Sequence, residues 1–187
     1  MSKFKRMKWI LITCLVSVFI LPVRAQSLLD VSTGNRSTLS ELIGTAWAVI
    51  IFTDQECAYD LEYLGRVKAL AAKYPGVRFI RINTLDKWED TPSTMKSFAQ
   101  SKGIKSAYFY DETGESARLL EARKSTQAIL LRWREGPVIA YTGAIDSNPL
   151  RSDDVRSHYL EDAITEALAG KKISRSKTLV TGCMIDR

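Results

Sequence analysis

The chain has 187 residues, with 27 basic and 21 acidic side chains, three cysteines and one histidine. A single histidine, with no CxxC, HExxH or His-rich cluster, argues against a zinc site and against a Cys–His nucleophile pair. Five of the basic residues fall in the first 25 positions, so the rest carries 22 basic against 21 acidic residues and offers no aromatic-laced basic stripe for nucleic acid.

The N-terminus reads as a targeting segment. MSKFKRMK precedes an uncharged apolar run from Trp9 to Leu21, and PVRAQ follows, with Val23 and Ala25 as the small residues of a signal-peptidase site. We expect a signal over 1–25 cut after Ala25, and a periplasmic or secreted mature chain. The run is short of the roughly 20 residues a membrane span needs. Membrane contact is therefore expected only through this segment if it stays uncleaved. Cys14 lies mid-run, with Thr13 before it, and is not placed for lipoprotein processing. The remaining 162 residues suit one domain, 26–170, with a basic tail, 171–187.

SLLDV predicts a short strand, Gly34-Asn35 a turn, and Thr38-Leu-Ser-Glu41 the capping box of a short helix. AWAVIIF, Ala46 to Phe52, is a near-continuous apolar run, the pattern of a strand buried on both faces. From Ala58 to Tyr74 the positions Leu61, Leu64, Val67, Leu70 and Ala71 recur at helical spacing, and Pro75-Gly76 stops the helix. VRFIRIN, Val77 to Asn83, is a second strand, and LDKWEDTP a polar loop. Thr91-Pro92 starts a helix that runs to about Lys102. SAYFY is a short strand, DETG a turn, SARLLEA a short helix, and AILLRW, Ala128 to Trp133, a third long strand. REGP turns the chain into a hairpin strand from Val138. After a longer loop, Ser157 to Ala169 is an amphipathic helix stopped at Gly170. The βαβ first half requires parallel pairing with a right-handed crossover. The whole order predicts an α/β fold: a central mixed β-sheet with helices on both faces.

Two cysteines remain beyond the signal, Cys57 and Cys183, and an oxidising compartment permits one disulfide. Cys57 stands in FTDQECAYD, at the strand-to-helix junction. Free N–H groups and the helix dipole there favour thiolate and can bring a thiol below its free value of about 8.5. Asp54, Glu56 and Asp60 oppose this, since each disfavours a second negative charge. Arg123 or Lys124, in the loop before the third long strand, would restore the balance. Cys57 is thus either a nucleophile or a small buried residue. Cys183 either resolves a bond made at Cys57, forms a static disulfide with it, or stays a free thiol, and Gly182 gives the tail freedom for any of these. Trp47 and Trp133 read as packing, Trp88 as the one exposed aromatic contact, His158 as a surface residue, and Lys171, Lys172, Arg175 and Lys177 as a solvated face.

The pattern resembles the thioredoxin fold, in particular the redoxin group of exported thioredoxin-like proteins. LLDVSTGNRSTLSELIG is similar to that group's preamble, FTDQECAYDLEYL stands where it keeps the active-site cysteine, and YFYDETGESARLLEA is similar to its short strand–Asp–Gly–helix segment. GAIDSN, YLEDAI, LAGK and the terminal GC resemble one branch of the group. The likeness runs from about Ser27 to Arg187. It implies a thioredoxin-like three-layer sandwich without a cofactor, acting on protein thiols or disulfides through Cys57, with Cys183 as resolving partner. Glu56 or Asp60 would assist proton transfer, and Ser125-Thr126-Gln127 would form the loop that faces the cysteine and holds substrate backbone.

Three departures qualify the resemblance. Asp60 stands at the second cysteine of a CxxC. Gln127 stands at the customary cis-proline after Thr126, and a cis bond before a non-proline residue costs about 2.5–4 kcal/mol, so a trans loop is expected. Ile50 and Asp54 occupy the positions where a peroxiredoxin carries proline and threonine. Three activities are therefore weighed: thiol-disulfide oxidoreductase, non-catalytic module binding an exported partner protein, and thiol peroxidase, in that order.

Overall fold

The computed structural model describes residues 27–84 and 90–185. The expected signal segment, Cys14 and Trp88 lie outside the described residues. The elements in chain order are β1 (Leu28–Asp30), β2 (Arg36–Ser37), α1 (Leu39–Ile43), β3 (Ala48–Phe52), α2 (Ala58–Lys73), β4 (Arg78–Asn83), α3 (Pro92–Ser101), β5 (Ala107–Tyr110), α4 (Glu115–Leu119), β6 (Ala128–Trp133), β7 (Pro137–Gly143) and α5 (Tyr159–Leu168). The strands form one seven-stranded sheet in the order β2-β1-β5-β4-β3-β6-β7. β3, β4 and β5 are mutually parallel, and β6 and β7 return antiparallel. The expected mixed sheet is present, with β2 as an extra two-residue edge.

All five residues of β3 are buried, as its unbroken apolar run predicts. Alternate side chains feed two cores. Ile50, Phe52, Ile80, Ile82, Ile129 and Leu131 pack with Leu39 and Ile43 of α1 and with Ala117 of α4. Val49, Ile51, Phe79 and Leu130 pack with Tyr63 and Val67 of α2 and with Leu160 and Ile164 of α5. α3 adds a smaller cluster further out, in which Met95 and Ala99 pack with Tyr108 of β5. The three layers follow. Each fully buried Ile, Leu, Val or Phe contributes roughly 1.5–3 kcal/mol of hydrophobic stabilisation.

Local chemistry sets the helix starts. Thr38 and Glu41 complete the capping box of α1. Thr91 caps α3, with Pro92 in its first turn. The buried face of α2 differs from the apolar pattern: Asp60, Tyr63 and Val67 point inward, whereas Leu61 is 39% exposed. Polar partners inside the protein account for the rotation. The Asp54 N–H donates to Asp60 Oδ2 at 2.9 Å, and the Tyr63 hydroxyl donates to Asp146 Oδ1 at 3.0 Å. Asp146 also takes Arg66 at 2.6 Å, and Arg66 reaches the Asn148 carbonyl at 2.7 Å, so the GAIDSN segment is clamped onto α2.

The segment after α5 is built into the domain. The Thr142 N–H donates to the Ser176 carbonyl at 2.9 Å, and the Thr178 N–H returns to the Thr142 carbonyl at 3.2 Å. Gly143 permits this approach, because a Cβ there would stand 2.1 Å from Thr178 Oγ1 and 2.8 Å from its backbone nitrogen. Ile185 ends the strap inside the core formed with α1 and α4. Lys171, Lys172, Arg175 and Lys177 are exposed, as is His158 at the start of α5. Among the described residues no helix is long and apolar enough to cross a membrane.

Candidate functional site

Cys57 is the N-cap residue of α2, five positions after the end of β3. It is 2% exposed and is joined to Cys183 by a disulfide, with Cα atoms 6.0 Å apart across 126 residues of sequence. Of the three readings open for Cys183, the free thiol is overturned: the strap carries its sulfur onto the helix start. Cys183 is the more accessible of the two residues.

The loop 123–127 forms the opposite wall. Thr126 N–H donates to the Phe52 carbonyl at 2.7 Å, and Phe52 N–H donates to the Gln127 carbonyl at 3.1 Å, which ties the loop to the end of β3. Thr126 adopts φ 64°, and no cis peptide occurs among the described residues, so the expected trans geometry before Gln127 holds. Gln127 is inward-facing: its Oε1 accepts from the Arg123 N–H at 3.0 Å, and its Nε2 donates to Thr142 Oγ1 at 3.1 Å. It locks the loop to β7.

The strap occupies the groove along this loop. Ser125 N–H donates to the Cys183 carbonyl at 2.8 Å, and Ile185 N–H donates to the Arg123 carbonyl at 3.0 Å. Thr126 Oγ1 donates to the Thr181 carbonyl at 2.8 Å. Lys124 and Met184 form an antiparallel bridge. The chain thus adds its own segment to the loop in the manner of strand addition, at the place where the sequence suggested substrate backbone. Gly182 is required by this fit, since a Cβ would stand 2.0 Å from the Ser125 carbonyl oxygen.

The charged candidates separate. Lys124 does not turn to the sulfur: its ammonium donates to the Val180 carbonyl at 3.2 Å. Arg123 is exposed and joins the strap through its backbone. Glu56 is exposed as well, with its N–H on Asp54 Oδ1 at 3.0 Å. Asp60 is 4% exposed. Burial pushes its carboxyl up to about 7, against the Asp54 N–H, the positive charge of Arg81 and the Ser125 hydroxyl, all of which favour the carboxylate. Arg81 is also buried, which pulls its guanidinium below the ordinary value while the charge of Asp60 opposes the change. Asp60 is therefore a buried acid able to exchange a proton near neutral pH.

Sequence reasoning gave Arg81 no role and saw Ser125 only as part of the loop. Ser125 is fully buried, and its Oγ accepts from the Cys183 N–H at 3.1 Å. Arg81 had a visible signal: it is a charged residue in the middle of an apolar strand.

No protein-family model matches the chain, and no curated protein does either. Solved structures do. An uncharacterised conserved protein from Geobacillus kaustophilus is 28% identical, with 86% of this chain and 87% of that one aligned at a TM-score of 0.75. A thioredoxin-like protein in its oxidised form is 18% identical, over 73% and 87% of the two chains, with a TM-score of 0.56. A secreted Mycobacterium tuberculosis disulfide oxidoreductase is 18% identical, over 60% and 78%, with a TM-score of 0.50.

The fold is thioredoxin-like. Asp60, three positions after Cys57 where a CxxC would carry its second cysteine, is buried, and Cys57 is bonded to Cys183 of the strap.

Proposed function

We propose that this protein is an exported thiol-disulfide oxidoreductase whose redox pair is Cys57 and Cys183, acting on protein thiols or disulfides. The observation that carries the reading is the disulfide between a helix-N-terminal cysteine and a distant strap cysteine, with Asp60 buried in the first turn of the same helix. The two dissimilar-sequence neighbours described as a thioredoxin-like protein in the oxidised form and as a secreted disulfide oxidoreductase support the class. The charged N-terminus, apolar run and Ala25 site support export.

Exposure sets the order of events. A thiolate of a substrate dithiol attacks Sγ of Cys183, the less buried of the two residues. The Cys57–Cys183 bond breaks, and its electron pair goes to Cys57 Sγ at the N-terminus of α2, where the helix dipole favours the thiolate leaving group. The second substrate thiolate then attacks its own sulfur in the mixed disulfide and releases Cys183. The substrate leaves as a disulfide, oxidised by two electrons, and the protein is left with two reduced cysteines. Asp60 is the buried acid in the first turn of α2 that exchanges a proton near neutral pH, and Ser125, whose hydroxyl favours its carboxylate, also holds the strap at Cys183. Cys57 takes the attacking role only after the strap has left it.

The test is equilibration of the native protein with glutathione buffers, read by alkylation, together with oxidation of a dithiol peptide. Reduction without denaturant and catalysed peptide oxidation support the reading. A disulfide that no thiol reduces in the folded protein rejects it.

A second reading has its own observation. The strap is held by backbone hydrogen bonds to Arg123 and Ser125 and by the buried side chain of Ile185, which suits a static clip on a module that binds an exported partner protein. Inert behaviour in the same glutathione series would favour it.

A further inference from the structure

A groove of about 550 Å³ lies over β4, between α2 and the turn that joins α3 to β5. Leu64, Val67, Phe79 and Ile104 supply apolar walls. Lys68, Arg81, Lys102 and Lys105 supply cations, and no acidic side chain lines the groove among the described residues. Its size falls within the roughly 300–1,000 Å³ of small-molecule sites.

Arg81 makes this more than a greasy surface cleft. The residue is 4% exposed overall and lines the groove as its one cation carried on the sheet. Asp60 acts on it by charge, but no ion-pair contact joins them. A guanidinium presents five donors in a planar fork. A carboxylate is the acceptor whose two oxygens match that fork. The apolar walls ask the same ligand for a hydrocarbon body, and the three lysines reinforce the preference for negative charge.

We propose that this groove binds a small carboxylate with an apolar tail, the carboxylate seated on Arg81 and the tail lying along α2. The proposal is independent of the redox reading, because the groove does not include either cysteine.

The experiment is calorimetric titration of the oxidised full-length protein with octanoate, 1-octanol and acetate. Saturable 1:1 binding of octanoate is expected, with the alcohol and acetate weaker by at least about tenfold. Arg81→Gln should weaken octanoate by at least about tenfold and leave 1-octanol unchanged. Ala72→Trp, at an exposed position on the rim, should block octanoate while leaving the melting temperature close to wild type. Because Arg81 is buried, the rim variant decides if Arg81→Gln does not fold. Equal binding of 1-octanol, absence of saturable octanoate binding, or full octanoate affinity in the folded variants would overturn the proposal.

Discussion

Ser125 holds Cys183: its Oγ accepts the Cys183 N–H at 3.1 Å. The same hydroxyl favours the carboxylate form of buried Asp60. The acid on α2 and the strap that brings the second sulfur thus share Ser125 as a neighbour.

The first prediction concerns pH and stability. The folded protein holds the Asp60 proton up to about 7, against an unfolded value of 3.8. Between those values the folded state binds more protons than the unfolded state. This group's contribution to stability is therefore best near and below about pH 4, falls as pH rises toward about 7, and then levels off. The slope is at most about 1.4 kcal/mol per pH unit. Asp60→Asn removes it. Urea midpoints should show the variant gaining on wild type from about pH 4 to about pH 8, and a constant gap across that range would reject the assignment.

The charge of Arg81 favours the Asp60 carboxylate. Replacing it in Arg81→Gln should move the Asp60 titration upward, measured by carboxyl carbon chemical shifts against pH. An unchanged midpoint would show that the two groups do not interact.

Gly182→Ala places a methyl against the Ser125 carbonyl, 2.0 Å from its oxygen. Either the strap shifts or the loop gives way. The expected outcome is faster reduction of the disulfide by dithiothreitol, by several-fold, and a lower melting temperature. Unchanged reduction kinetics would mean that this approach is not needed for docking.

Removing the crosslink should be costly, because it closes a loop of 126 residues. Cys183→Ser is expected to lose about 2–5 kcal/mol in urea unfolding. The single-cysteine variants also test the order of attack. Folded Cys57→Ser, which retains the accessible Cys183, should form a mixed disulfide with a thiol-reactive peptide faster than Cys183→Ser does. The reverse ranking would assign Cys57 as the sulfur that meets substrate first.

Asp146 lies buried under α2 with Arg66 at 2.6 Å and the Tyr63 hydroxyl at 3.0 Å. Arg66→Ala leaves that carboxylate without its counter-charge, and a loss of about 3–5 kcal/mol is expected. Arg66→Ala/Asp146→Asn should recover part of it, because the uncompensated charge goes too. Thermal unfolding of both variants provides the check.

The sheet was legible because its signals are local and strong. The run from Ala48 to Phe52 declares a buried strand by itself, whatever it packs against, and Thr38, Glu41, Thr91 and Pro92 declare helix starts. The face of α2 was not legible. Leu61 and Leu64 fit helical spacing, but the hydrogen bonds of Asp60 and Tyr63 reach residues up to 83 positions away, which no periodicity records. For the same reason the site was only half visible. Cys57 at a helix start is a local signal, whereas the pairing of residues 181–185 with 123–126 depends on a close approach marked in the sequence only by Gly182 and Gly143.

The span of the disulfide also bears on how the protein is made. A chain that emerges N-terminus first presents Cys57 early, and the sulfur that will close on it follows only after α5 and the strap have been produced. Until then Cys57 is a reduced thiol open to any oxidant or stray cysteine. Formation of the native crosslink thus reports that synthesis has reached the strap, and fragments that stop short of it remain marked by an alkylatable Cys57.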